Sequence, residues 1–212
     1  MNKALFFAIA LSLLILIGCA TGKKTPLEKE ITFEKGIERI NEIDAKFNAN
    51  AKTPPNSTKD IENLIAQLTG FSAVNKIPKS LEYYLGFRIK FLEAERLHSE
   101  GWKWGKGSTT DYGFGCKRGS ARILESAKIR NSSAQKGYEA LNSLKLLIKE
   151  FPEEAKSLNL SQKDVLFLNA AYYQIENKAI IDADIIRSLC KNNADNETTN
   201  TGNETINANN ER

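Results

Sequence analysis

The chain holds one histidine, and a glutamate precedes it by three residues: Glu95-Arg96-Leu97-His98. On a helix that spacing puts both side chains on one face, the way helical bundles present ligands to iron or manganese. A two-metal site needs two such motifs, and there is no second histidine. Cys116 or a serine could act as a nucleophile beside His98, but nothing fixes a third member of a triad. His98 is therefore read as a polar residue near a helix C-terminus. Asp182 and Asp184 are two residues apart, which puts them on different helix faces and not in one metal site. No catalytic residue, metal or cofactor is expected, and the chain is read as a non-enzyme.

The segment 101–119, GWKWGKGSTTDYGFGCKRG, departs from the rest in composition. It contains six glycines, the only two tryptophans, and four basic residues. It is read as a long loop, and long ordered loops often carry function. Trp102, Trp104, Tyr112 and Phe114 can stack on a sugar ring or pack on a partner. Lys103, Lys106, Lys117 and Arg118 can meet phosphate or carboxylate. The competing reading makes this a surface loop whose aromatics plug the end of the helices while the glycines supply its turns. A phosphate-loop reading of Gly105-Lys106 fails. Glu100 stands where the first glycine is required, and Gly107 where serine or threonine is required.

The N-terminus carries an address. Lys3 precedes an unbroken apolar run from Ala4 to Ile17, too short to span a bilayer as a helix and suited to a secretory signal. Leu16-Ile17-Gly18-Cys19 resembles the lipobox of prokaryotic lipoproteins. The resemblance implies cleavage before Cys19, a lipid on that cysteine, and export to the outer leaflet of the cell membrane or to the outer membrane. Two or three acyl chains hold a protein firmly where one holds it marginally. Ala20, which is not Asp, points by the same resemblance to the outer membrane where a cell has two. With Cys19 lipidated, Cys116 and Cys190 remain. Outside the cytoplasm they can form a disulfide, closing a loop worth about 4 kcal/mol in the entropy model; the alternative is two separate buried thiols.

Removing residues 1–18 leaves 194 residues with a formal charge of +3. That balance is too weak to imply a nucleic-acid partner. Residues 19–27 read as the lipidated cysteine and a polar tether, and 28–190 as a single domain. Asn192–Arg212 holds eight Asn and four Thr. Residues 191–212 are expected to be a disordered tail, because so little apolar surface cannot offset chain entropy. Five Asn-x-Ser/Thr triplets occur, at Asn56, Asn131, Asn159, Asn196 and Asn203. Asn196 and Asn203, in the exported tail, are candidates for glycosylation in an archaeon; in a bacterium they are chance features of an Asn-rich chain.

The elements that would position these residues are helical almost throughout. Helix one is expected over 28–49, with Phe33, Ile37, Ile40, Ile43 and Phe47 on one stripe. Helix two starts at an N-cap Thr58 and stops at Gly70. Helix three runs from Ser80 to Ser99. Helix four covers 118–130, and a capping box of Ser132 and Gln135 opens helix five, which ends before Pro152. The last helix is capped by Ser161 with Asp164 and ends near Cys190. No stretch shows a strand period with hairpin turns, so the class is all-α, about six helices in an antiparallel bundle or a short helical array. Ala140, Leu144, Leu147 and Pro152, with Leu85-Gly86 and Ile89, fall at spacings that resemble a tetratricopeptide-type hairpin, over about a quarter of the chain. That resemblance implies a short helical array.

The expected function is a lipid-anchored, exported helical protein that binds another protein or serves as a scaffold component of the cell envelope. The alternative is a lipoprotein that recognises a glycan or other cell-wall component through the Trp-rich segment.

Overall fold

The computed structural model describes residues 29–105 and 119–207. In chain order these form β1 (Lys29–Glu30), α1 (Phe33–Ala45), α2 (Thr58–Val74), β2 (Asn75–Lys76), α3 (Lys79–Gly105), α4 (Gly119–Glu150), α5 (Pro152–Ser157) and α6 (Gln162–Asn207). The fold is an all-α bundle with six helices among the described residues. The sequence shows no sign of β1 and β2, a parallel ladder with Lys29 opposite Asn75 and Glu30 opposite Lys76. Two residues are too few to carry an alternation.

The long helices α3, α4 and α6 form the body. α4 packs against α3 on one side and α6 on the other, while α1 and α2 cover α3. Ile40, Leu64, Leu68, Leu81, Leu92, Leu141, Leu144 and Leu147 are fully buried in one core. The residues behind the tetratricopeptide resemblance serve that core: Ala140, Leu144 and Leu147 are buried on α4, and Pro152 is the first residue of α5.

Small residues bring α3 and α4 close together. Ser133 Oγ donates to the Ala94 carbonyl at 2.8 Å, and Ser126 Oγ to the Gly101 carbonyl at 2.7 Å. Both partners shift by seven residues, in opposite directions, as an antiparallel pair requires. A Cβ on Gly101 would lie 2.7 Å from the Arg130 side chain. Gly101 is therefore a point of close helix approach and not the first residue of a loop.

Several helix limits differ from expectation. α4 passes through Ser132 without a break. Ser132 Oγ donates back to the Lys128 carbonyl at 3.1 Å, and Gln135 Nε2 donates to Glu176 at 3.1 Å, so neither makes a capping box. α2 continues past Gly70 to Val74. A glycine inside a helix costs only about 1 kcal/mol relative to alanine, and Phe71 enters the core just beyond it. The N-cap of α2 is Ser57: its Oγ accepts from the Asp60 amide at 3.0 Å and donates to the Asp60 carboxylate at 2.6 Å. α1 is shorter than its stripe and ends at Ala45, after which Asn48 takes a left-handed φ of 51°.

The cap at the start of α6 is as expected. The Asp164 carboxylate accepts from both the amide and the hydroxyl of Ser161, each at 2.9 Å. At the far end the helix passes the expected limit near Cys190, and its described backbone runs to Asn207. Propagation adds one bond per residue once the packed part of the helix exists. Asn and Thr cost only about 0.7 kcal/mol each against alanine.

Candidate functional site

The chemistry-bearing residues of the sequence do not meet in one catalytic cleft. His98 lies within α3, which runs seven residues further. Its Nε2 accepts a hydrogen bond from Trp102 Nε1 at 2.9 Å, and the two rings meet edge to face. Accepting at Nε2 places the neutral ring's proton on Nδ1, which is buried without a partner among the described residues. Burial, helped by the positive charge of Arg130, pushes the imidazole pKa below its ordinary value. His98 is thus held neutral as an acceptor inside a helix contact. Glu95, one turn earlier, is raised above the usual carboxylate range by burial.

Asp182 and Asp184 go separate ways. Asp182 accepts from Arg130 Nη2 at 2.7 Å, in a largely buried bridge between α4 and α6. Asp184 pairs with Arg187 at 3.1 Å on the surface. Among the described residues, no group of three or more His, Cys, Asp or Glu is placed to hold a metal ion.

The Trp-rich segment is only partly a loop. Trp102, Lys103 and Trp104 belong to α3, whose last described turn ends at Gly105. The two indoles are 45% and 46% exposed, but residues two apart on a helix point about 200° apart. They do not form one stacking platform. Lys103 Nζ donates to Thr58 Oγ1 at 2.9 Å, tying this end of α3 to the start of α2. Lys106, Tyr112, Phe114, Cys116, Lys117 and Arg118 lie outside the described residues, as do Cys19 and the rest of residues 1–28. Asn196 and Asn203 fall within the α6 backbone.

Cys190, near the middle of α6, is disulfide-bonded. The other two cysteines of the chain, Cys19 and Cys116, are both outside the described residues. Among those residues, no helix is long and apolar enough to cross a membrane.

The feature best suited to recognition is one the sequence reading passed over. α6 is apolar on two opposite sides between residues 165 and 186. Val165, Tyr172, Ala179, Ala183 and Ile186 are buried against the bundle. Leu166, Phe167, Tyr173, Ile180, Ile181 and Ile185 face away from it; Leu166 is 65% and Phe167 74% exposed. At about 100° per residue, the outer set covers a band nearly opposite the inner one. The signal was present in the sequence, since a helix apolar all round is normally buried all round. The inner stripe, Leu168 to Ile186, explained the fold and left the other apolar positions unused.

Beside this band lies a groove between the start of α4 and the middle of α6, with a volume of about 590 Å³. Its floor is Ala127, Ala179 and Ala183 with Leu124, and its rim carries Lys128, Asp184 and Arg187. The alanines leave the helices without large side chains there, so the outer face is indented as well as apolar.

No family model matches the chain, and no curated protein or solved structure matches it either.

Proposed function

We propose that this chain is a lipid-anchored, exported helical protein that binds protein through the outer face of α6, as a component of the cell envelope. One observation carries the binding part: six large apolar side chains left exposed along a helix whose opposite side is already buried in the core. Monomeric proteins rarely leave a contiguous apolar band of that size uncovered. The lipobox-like Leu16-Ile17-Gly18-Cys19 supports the anchored location. It also selects the disulfide: a lipid-bearing Cys19 leaves Cys116 as the partner of Cys190, and a stable bridge suits an oxidising compartment.

The test is co-purification from detergent-solubilised membranes. The wild-type chain is expected to retain a stoichiometric protein partner, and a Phe167→Asp, Ile181→Asp double variant to lose it while keeping its helical circular dichroism. Equal retention by both removes α6 from the account. A second reading, glycan binding, draws on the half-exposed indoles of Trp102 and Trp104, each able to stack on a ring singly. Retention on cell-wall polysaccharide that Trp102→Ala and Trp104→Ala abolish would favour it.

A further inference from the structure

We infer that the partner on the outer face of α6 is a second copy of this chain, docked antiparallel through α6. This rests on the reading of that face as a protein-binding surface and adds the identity of what covers it.

The face is self-complementary. A two-fold axis between Tyr173 and Gln174 sets Leu166 opposite the partner's Ile181 and Phe167 on the flank beside that same isoleucine. The same axis sets Lys163 opposite the partner's Asp184. Lys163, Ala170, Gln174 and Asp184 are exposed and lie within the same band as the apolar residues. Branched and aromatic side chains thus meet on either side of the axis, and at both ends Lys163 joins Arg187 as a cation facing Asp184. An isologous pair requires this of a single surface, because every contact must occur twice.

At the axis Ala170 and Gln174 leave room beside Tyr173 for its counterpart on the partner. Leu166, Phe167, Ile180 and Ile181 stand on either side of the axis. The groove floored by Ala127, Ala179 and Ala183 is continuous with the band through Ile180.

The area is sufficient. Six side chains per copy, at roughly 100 Å² of newly covered surface each, remove about 1,200 Å² in total from water. That reaches the lower edge of stable specific interfaces. A lipid anchor on each copy would confine the search to two dimensions and raise the effective concentration of one chain around another.

The experiment uses the full chain in its own membranes with Gln174→Cys, next to the proposed axis, and with Lys59→Cys on α2 as an exposed control. After mild oxidation, Gln174→Cys is expected to give a disulfide-linked species of twice the chain mass, and Lys59→Cys none. Adding Phe167→Asp is expected to lower the yield at least about tenfold; an undiminished yield overturns the pairing. Failure of Gln174→Cys to give that species also overturns it. An adduct between Gln174→Cys and a different protein overturns the pairing but keeps α6 as a protein-binding face. Absence of any adduct, with a monomeric mass in detergent, removes both.

Discussion

Arg88 and Asp44 form a buried ion pair between α3 and α1. Arg88 is fully buried and Asp44 nearly so, with one contact of 3.0 Å between Nη2 and Oδ1. Asp44 Oδ2, Arg88 Nε and Arg88 Nη1 lack partners among the described residues. Burial outweighs the attraction of Arg88 and raises the Asp44 carboxyl above its ordinary pKa. The neighbouring Tyr84 hydroxyl is pushed up to about 12, mainly by burial. Removing one member strands the other charge. Asp44→Ala is expected to cost about 3–5 kcal/mol in denaturant unfolding, and Asp44→Leu with Arg88→Met much less. Gly137 fails for a different reason. A Cβ there would fall 2.4 Å from the Tyr172 ring, so Gly137→Ala is expected to lose about 1–3 kcal/mol by overpacking. His98 makes stability depend on pH. Its folded-state pKa lies below the unfolded value, so the unfolded chain binds more protons as pH falls through about 6.5. His98 should therefore lower the stability of the native chain relative to His98→Gln as pH falls from 7 toward 5, measured as the difference between their urea midpoints. The raised carboxyls of Asp44 and Glu95 act in the opposite direction in both chains.

Helix existence was legible from the three-to-four-residue stripes, which survive in α1, α2, α3 and α6. Helix ends were less so, because caps and breaks are set by competing partners. Ser132 looked like a cap because Gln135 follows at the right distance. In the fold Gln135 reaches across to Glu176, and α4 continues. Ser132→Ala is accordingly expected to change stability by less than about 0.5 kcal/mol. Ser57→Ala, at the true cap of α2, is expected to cost about 1 kcal/mol. Clustered glycines and aromatics mark loops, which is why the sequence around Gly101, Trp102 and Trp104 predicts one. Here the glycine serves contact with α4, which no local pattern reveals. The outer band of α6 could have been read, since Leu166, Tyr173 and Ile180 are spaced by seven. It competes with an equally regular inner stripe, and only burial separates the two.

Among the described residues the molecule is a layered bundle with one side closed by α1 and α2 and the other ending in the exposed apolar face of α6. The chain positions that bear on location and cross-linking, Cys19 and Cys116, lie outside the described residues, so that part of the account rests on their chemistry. If Cys116 bonds Cys190, the intact mature chain should gain two mass units on reduction. Cys116→Ala should lose up to about 4 kcal/mol of stability, since the bridge closes a loop of more than seventy residues. If Cys19 carries lipid, Cys19→Ser should release the protein from membranes into the soluble exported fraction. The exposed face of α6 bears on the proposed binding role. A photo-crosslinking amino acid placed at Phe167 in living cells reports on it, with Lys59 as the control position. The account predicts a discrete protein adduct from Phe167 and none from Lys59. No adduct at Phe167, or the same diffuse adducts from both positions, would show that the outer face of α6 is not a binding surface.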